Sequence, residues 1–364
     1  MSENVIGKVR SFDRPFKLES GVTLSRLDVA YETYGILNSE GTNAVLVCHA
    51  LTGSAHAGTG CGSDATPGWW DGIIGKGKGL DPDRHFIVCA NIPGSCYGTT
   101  GPTSVNPGTG SAYRRSFPAI TVRDMVRAEH LLLQGLGVRE LTTVIGGSLG
   151  GMQVLEWAVM FPEMVRTIIP IATAARHSPW CIGLDEAQRL AIMNDPAWRG
   201  GEYDEQPLEG LALARMIAMI SYRSKQSFDQ RFGREPYPGG GPSKPMGVAP
   251  GIPVSFQVES YLRYQGEKLV DRFDANSYLC LTRAMDQHDV GAGRGSAADA
   301  LGLVRARALC VGVSSDVLYP REEQRAIASL IPGAHYAEIR SAHGHDAFLI
   351  EFDQLNRLIR LLLA

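Results

Sequence analysis

The sequence predicts an α/β fold in which helices flank a mostly parallel sheet and a helical lid is inserted between two strands. Three observations predict this fold. Short, continuous apolar runs recur along the chain, each followed by a turn signal, as expected of strands buried on both faces of a parallel sheet. Amphipathic segments separate these runs, which is typical of a doubly wound sheet. The alternation stops after about residue 177, where the lid is predicted to begin.

Five apolar, β-branched runs are the predicted buried strands. They are Ala44–Ala50, His85–Ile92, Leu141–Gly146, Thr167–Ala172 and Ala308–Val313. A helix is predicted for Val122–Leu136, because its apolar side chains recur on one helical face at Met125, Ala128, Leu132 and Leu136. Near the end of the chain, His335–Ile339 is strand-like and Phe348–Leu362 is helix-like.

Between the fourth and fifth strands the chain is helix-rich and more polar, with no clear buried-strand run. Leu208–Tyr222 fits one continuous helix, and Pro238–Pro242 is a proline- and glycine-rich loop. The simplest account is a lid inserted into a single sheet. We therefore assign residues 1–181 and 301–364 to the core and residues 182–300 to the lid.

Composition narrows the classes of function. The 35 basic and 38 acidic residues give a net charge of −3, so no electrostatic footprint for nucleic acid or an anionic membrane is visible. No apolar stretch approaches the roughly 18 residues of a membrane helix. The first residues lack the basic and apolar regions of a signal peptide, and the seven cysteines are scattered without a CxxC pair. We expect a cytoplasmic protein with reduced thiols and no structural zinc.

The candidate nucleophile is Ser148, in the pattern Gly146-Gly147-Ser148-Leu149-Gly150. An apolar strand precedes the pattern and a helical segment follows it, which is the setting of the G-x-S-x-G elbow in the α/β-hydrolase fold. The tight turn exposes the serine hydroxyl and places the amide of Leu149 at a helix N-terminus, where it can stabilise an oxyanion. The alternatives are a tightly packed turn without chemistry or a phosphate-binding loop, although the P-loop pattern is absent.

The order nucleophile, acid, histidine is expected next in this fold. Asp316 follows the strand Ala308–Val313, and sites in such sheets collect at the carboxyl ends of strands. Two histidines, His343 and His345, compete for the role of base. Their H-x-H-D pattern also occurs in zinc sites, but no third histidine follows at ligand spacing. The second oxyanion donor is expected in the loop after the strand Ala44–Ala50, and we assign it to the amide of Leu51.

Two basic stretches are predicted to be solvated loops. They are Gly75–Gly79 and the pair Arg114-Arg115. Contact with an anionic cofactor is the alternative for both.

The chain resembles the homoserine O-acyltransferase family over nearly its whole length. The resemblance rests on HALTG (49–53), GSCYGTTGP (94–102), FPAITVRDMV (117–126), IGGSLGGMQ (145–153), GLALARMIAMISYRS (210–224), RFGR (231–234), VESYL (258–262), RFDANSYL (272–279), SSDVLYP (314–320) and GHDAFL (344–349). It implies a triad of Ser148, Asp316 and His345, and a lid that supplies acceptor contacts and a homodimer interface. It favours His345 over His343 as the base.

Two acceptor-binding residues carry over from the resemblance. Arg215 matches the arginine that holds the acceptor carboxylate, and Asp346 matches the aspartate that holds the acceptor amine. Tyr222 lies two helical turns after Arg215 and is expected to line the same site. A guanidinium suits a carboxylate and a carboxylate suits an ammonium, so the pair fits an amino-acid acceptor. The alternative for Arg215 is a salt bridge within the lid.

The resemblance implies ping-pong transfer of an acetyl group from acetyl-CoA to L-homoserine, in methionine biosynthesis, with no permanently bound cofactor and no metal. Four alternatives stay open. The donor could be succinyl-CoA, the acceptor could be serine, water could deacylate the enzyme as in an esterase, or the chain could be a catalytically silent binding module.

Overall fold

A mostly parallel sheet forms the centre of the computed structural model, which describes residues 7–59, 66–238 and 254–363. In chain order its described strands are β1 (Lys8–Phe12), β2 (Phe16–Lys17), β3 (Thr23–Leu24), β4 (Leu27–Tyr34), β5 (Ala44–Cys48), β6 (Phe86–Ala90), β7 (Leu141–Gly147), β8 (Thr167–Ile171), β9 (Arg307–Val313) and β10 (His335–Ile339). Eight of them form one sheet in the order β1-β4-β6-β5-β7-β8-β9-β10. Strands β6 to β10 and β5 are mutually parallel. The predicted α/β class is confirmed.

Helices cover the sheet and fill the insertion. They are α1 (Val122–Gly135), α2 (Leu149–Met160), α3 (Pro179–Met193), α4 (Leu208–Tyr222), α5 (Lys225–Phe232), α6 (Gln257–Val270), α7 (Ala275–Asp286), α8 (Ala297–Leu301), α9 (Arg321–Leu330) and α10 (Phe352–Leu363). Short 3₁₀ helices occupy Arg114–Ser116, Pro196–Gly201 and Gly344–Leu349. None of the helices in these described ranges has the length and apolar character needed to cross a membrane.

Strand β5 explains why the predicted strands are continuous apolar runs. All five of its residues are buried. Leu46 and Cys48 pack into the hydrophobic cluster on one face of the sheet, whereas Val45 and Val47 pack into the cluster on the other face. Side chains alternate between the faces of a strand, so helices on both faces require apolar residues at every position.

The N-terminal strands β1 and β4 were not predicted. They pair antiparallel with each other, and β4 pairs antiparallel with β6, at one edge of the sheet. The first four residues of β1 are exposed. As the edge strand, β1 buries little surface and has no apolar run. Strand β4 lies inside the sheet and is mostly buried, but Asp28 and Glu32 interrupt its apolar run.

The insertion between β8 and β9 contains helices α3 to α8. Extended structure in its described part is limited to isolated bridges, such as Pro236 with Phe256. The predicted boundaries at residues 182 and 300 fall inside α3 and α8, and the division into core and lid stays a prediction. Residues 239–242 of the glycine-rich loop lie outside the described residues.

Two chain segments connect the insertion to the sheet, and they are paired with each other. The backbone amide of His177 donates to the carbonyl of His288, and the amide of Val290 donates to the carbonyl of Ala175. We call this pair of segments the neck. Close to it, Arg294 lies 2.8 Å from the buried carboxylate of Glu156 on α2, so the insertion returns to the sheet against the helix that follows Ser148.

Candidate active site

Ser148 occupies a strained turn between β7 and α2. Its backbone has φ 58° and ψ −125°, a left-handed conformation that is uncommon for a residue with a side chain. A Cβ on Gly146 would lie 2.5 Å from the carbonyl oxygen of Cys48, and one on Gly150 would collide with the same oxygen. The two glycines therefore let the end of β5 pass directly beside the elbow.

His345 and Asp316 are in direct contact. Nδ1 of His345 lies 2.8 Å from Oδ2 of Asp316, and both residues are buried. The other oxygen of Asp316 accepts hydrogen bonds from the amides of Leu318 and Tyr319, which fixes the carboxylate. Burial by itself lowers the pKa of His345, but the charge of Asp316 and the hydrogen bond outweigh it, so the pKa is raised.

The elbow and the histidine loop meet through Phe348. A Cβ on Gly147 would touch the ring of Phe348, and the rings of Phe348 and His345 are 5.6 Å apart. Tyr222 and Tyr319 pack on the same imidazole, at 5.7 and 5.3 Å between ring centroids. His345 is thus held by three aromatic rings beside the turn that carries Ser148.

The competing histidine has different surroundings. The backbone amide of His343 donates to Ser341, and its buried Nδ1 has no hydrogen-bond partner in the described residues. Of the two candidates, the described contacts bring His345 alone to Asp316. This geometry favours His345 as the base.

The amides of Leu51 and Leu149 flank the elbow. Leu51 follows the end of β5, which passes beside Gly150, and Leu149 is the first residue of α2, where amides have no partner within the helix. In the described part of the chain neither amide donates to a backbone carbonyl. Burial lowers the pKa of neighbouring His49 to about 4, so this imidazole is neutral and contributes no positive charge.

The three predicted acceptor residues lie on two elements. The guanidinium of Arg215 stacks over the ring of Tyr222 at 5.4 Å, both on α4. Asp346, in the 3₁₀ helix after His343, has its carboxylate 3.3 Å from Nε of Arg223. Burial raises the pKa of Asp346, and the positive charges of Arg223 and Arg215 partly offset this effect. Arg223 was not predicted from the sequence as a site residue, although it lies in the motif that contains Arg215 and Tyr222.

Comparison with known proteins decides the family. A family model described as alpha/beta hydrolase fold matches residues 43–352. A homoserine O-acetyltransferase of Trichormus variabilis is 53% identical over 347 residues, which cover 95% of this chain and 90% of that protein. The chain belongs to the homoserine O-acetyltransferase family. The predicted family and the predicted α/β-hydrolase fold are both confirmed.

Two solved structures are similar to this member of the homoserine O-acetyltransferase family. A homoserine O-acetyltransferase from Bacillus anthracis is 30% identical with a TM-score of 0.87, and the match covers 98% of this chain and 97% of that one. The esterase E22 is 28% identical with a TM-score of 0.88, covering 98% and 100%. Transferases and esterases thus share this architecture.

A cluster of potential metal ligands lies next to Tyr319, the residue that packs on His345. Ligand atoms of His177, Asp185 and Asp286 lie within 4.8 Å of one another. Arg189 already pairs with Asp286 at 2.7 Å, and Nδ1 of His177 lies 3.3 Å from the hydroxyl of Tyr319. The cluster therefore has internal partners for its charges. The contact with His177 fixes the hydroxyl of Tyr319, which was not predicted from the sequence and whose ring packs on His345.

The described residues also enclose a cavity of about 1140 Å³. Arg272 lines it and donates to the carbonyl of Thr52, next to Leu51. None of the predicted triad residues lines this cavity. Arg114 also lines it and pairs with the exposed Asp204 at 2.7 Å, and its contact with an anionic cofactor stays a prediction.

Proposed function

We propose that this chain transfers an acetyl group from acetyl-CoA to the hydroxyl of L-homoserine through an acetyl-serine intermediate. The observation that carries the proposal is the 53% identity over 95% of the chain to a protein named homoserine O-acetyltransferase. The product, O-acetyl-L-homoserine, would serve methionine biosynthesis. The proposal requires no permanently bound cofactor and no metal.

Ser148, His345 and Asp316 are the proposed triad of the first half-reaction. His345 takes the proton of the Ser148 hydroxyl, and the oxygen attacks the thioester carbonyl. The tetrahedral intermediate then breaks its carbon–sulfur bond, and the CoA thiolate takes the proton from His345. Asp316 holds the imidazole tautomer and stabilises the imidazolium, as its 2.8 Å contact with Nδ1 supports.

The amides of Leu51 and Leu149 are the proposed oxyanion donors. Leu149 follows Ser148 directly, and Leu51 comes three residues after Cys48, whose carbonyl oxygen lies against Gly146 and Gly150. Donors fixed before the reaction stabilise the developing negative charge without reorganisation. The neutral state of His49 leaves this task to the two backbone amides.

Arg215, Tyr222 and Asp346 are the proposed acceptor site of the second half-reaction. L-Homoserine is a zwitterion, and Arg215 suits its carboxylate whereas Asp346 suits its ammonium. His345 takes the proton of the acceptor hydroxyl, whose oxygen attacks the acetyl-serine carbonyl. The ester bond to Ser148 then breaks, and His345 returns the proton to the serine oxygen. The contact between the Tyr222 ring and His345 supports an acceptor site beside the base.

A serine esterase is the second candidate, because the esterase E22 has nearly the same fold. In that case water would deacylate Ser148. The charged pair Arg215 and Asp346 favours transfer, since an ester of an apolar acid gives these groups no partner. Succinyl-CoA as donor and serine as acceptor are variations of the transferase proposal.

Replacement of Ser148 by alanine tests the chemistry. We expect the rate of acetyl transfer to homoserine to fall at least about a thousandfold, because no acyl-enzyme can form. The assay is CoA release from acetyl-CoA and succinyl-CoA, each with homoserine, serine or no acceptor. Ser329→Ala, an exposed serine on α9, is the matched control. Near-normal transfer by Ser148→Ala would refute the mechanism, and acceptor-independent CoA release by the unaltered chain would favour the esterase.

A homodimer formed through the lid is also part of the proposal. Leu213 and Ile220, seven residues apart on one face of α4, are 47% and 55% exposed, and Tyr264 on α6 is 56% exposed. The two helices are adjacent, because a Cβ on Gly266 would lie 3.0 Å from the Cβ of Ala212. Apolar side chains gathered on neighbouring helices are typical of a protein interface.

We also propose a cytoplasmic location, which the six free cysteines of the described residues support.

A further inference from the structure

Arg223 is the first residue after α4, and its backbone is fixed against the histidine loop. The hydroxyl of the next residue, Ser224, donates to the carbonyl of Ala342. A Cβ on Gly344, which has φ 70°, would lie 2.8 Å from the carbonyl carbon of Arg223. The end of the lid helix therefore packs directly against the loop that carries His345.

The side chain of Arg223 is directed to one oxygen of Asp346. Its Nε lies 3.3 Å from Oδ2, and both side chains are only 17% exposed. Nε of Arg223 is buried and has no hydrogen bond among the described residues. In the same described ranges no hydrogen-bond donor reaches either carboxylate oxygen of Asp346, so the ion pair with Arg223 is its one close contact with an opposite charge.

The other charged groups around Asp346 come from every neighbouring element. Arg215 and Tyr222 face it from α4, His345 is its neighbour in the 3₁₀ helix, and Asp316 lies on the loop after β9. Burial favours the neutral form of a carboxyl group, and a nearby cation favours the ionised form. Burial raises the pKa of Asp346, and Arg223 provides the largest opposing influence, ahead of Arg215 and His345.

We propose that Arg223 is a positioning residue that sets acceptor specificity: its charge holds Oδ2 of Asp346 and leaves Oδ1 for the ammonium of the acceptor. The inference rests on the proposed function, because it assigns Asp346 to an amino-acid acceptor. Arg223 makes no contact with the reacting atoms in this scheme. Its effect appears only for acceptors that carry an ammonium group, and only in the second half-reaction.

The experiment compares Arg223→Met and Arg223→Lys with the unaltered chain. CoA release in the first turnover measures acetylation of Ser148, and steady-state transfer to varied L-homoserine measures the second step, each from roughly pH 6 to 9. Transfer to 4-hydroxybutyrate, which lacks the amino group, measures specificity. Lys225→Met removes a neighbouring cation that is 88% exposed and serves as the matched control.

We expect Arg223→Met to raise KM for homoserine about tenfold at neutral pH, because Asp346 loses the cation that orients its carboxylate and opposes its protonation. The increase should shrink as the pH rises and Asp346 ionises again. KM for 4-hydroxybutyrate should change much less, so the preference for homoserine should fall about tenfold. Arg223→Lys should restore most of this preference, and Lys225→Met should match the unaltered chain.

Two results would overturn the role of Arg223 while the proposed function stands. One is an unchanged or lower KM for homoserine in Arg223→Met. The other is an equal loss in both half-reactions and with both acceptors, which would indicate a purely structural role. An unaltered chain that acetylates Ser148 but does not transfer to homoserine would instead overturn the proposed function.

Discussion

In the proposed mechanism, the protonation state of His345 decides when Ser148 can be activated, because a general base must be neutral. Asp316 raises the pKa of His345 against the effect of burial. The acid limb of the pH profile should therefore lie above the ordinary histidine pKa of about 6.5. Activity should rise with pH through this limb as the imidazole loses its proton.

Asp316→Asn should change both the rate and the pH profile. An asparagine favours the wrong imidazole tautomer, and we expect kcat to fall by about 10⁴-fold. Without the negative charge, the pKa of His345 should fall and the acid limb should move to lower pH. The measurement is kcat/KM for acetyl transfer against pH, with Asp353→Asn, an exposed aspartate on α10, as control. A limb that stays in place would show that Asp316 does not set this pKa.

At the scale of elements, the elbow depends on the close passage of β5 beside β7 and α2. The two strands are neighbours in the sheet, with Cys48 in register with Gly146. The same contact places the loop of Leu51 beside the turn of Ser148. Packing at this point therefore controls both the fold and the proposed oxyanion site.

Gly150→Ala should weaken both the stability of the fold and the proposed oxyanion site. The added Cβ meets the carbonyl oxygen of Cys48, so β5 or the elbow must shift, at a cost of about 1–3 kcal/mol. We expect a lower melting temperature together with a lower kcat. Gly183→Ala is the matched control, because a Cβ added at Gly183, on the exposed face of α3, would meet no other atom. There alanine should stabilise the helix by about 0.5–1 kcal/mol. Equal stability of the two variants would contradict the packing argument.

Glu129 links α1 to α2 through a buried carboxyl group. It accepts a hydrogen bond from the indole of Trp157 at 2.6 Å, and burial raises its pKa to about 8. The folded chain thus holds this proton more tightly than the unfolded chain, whose ordinary pKa is 4.5. Its contribution to stability is complete below pH 4.5 and is lost as the pH rises toward 8.

Glu129→Gln should remove this pH dependence, because glutamine keeps the acceptor for Trp157 but does not ionise. We expect the slope of unfolding free energy against pH to flatten by up to about 1.4 kcal/mol per pH unit within this window. Urea denaturation at several pH values measures the slope. Glu163→Gln, at a side chain that is 78% exposed, should leave it unchanged, and a persistent slope in Glu129→Gln would contradict the assignment.

At the scale of the whole molecule, the exposed apolar face of the lid predicts the oligomeric state. Ile220→Glu places a charge in the centre of the proposed interface, and we expect the dimer to dissociate at micromolar concentration. Light scattering coupled to gel filtration measures the mass. Leu361→Glu, at a 77% exposed leucine on α10, is the control. A monomeric unaltered chain, or a dimeric Ile220→Glu, would argue against this interface.

Much of the core could be predicted from the sequence, because strands buried on both faces are continuous apolar runs. The predicted helix Leu208–Tyr222 coincides with α4. The edge strand β1 could not be predicted, since its polar residues bury little surface. Arg223 was missed for another reason: its pairing with Asp346 depends on how the lid helix packs against the histidine loop, and sequence spacing does not determine a contact between segments so far apart.

The neck limits how substrates can enter and leave. Its two segments are joined by backbone hydrogen bonds between His177 and His288 and between Val290 and Ala175, and Arg294 anchors the returning segment to Glu156. A hinge needs residues that are free to change their backbone angles, and these hydrogen bonds restrain the backbone of the neck. In the proposed mechanism, we therefore expect CoA to be exchanged for the acceptor by local movement of the outer lid helices while the neck stays in place, so that the proposed triad keeps its alignment between the two half-reactions.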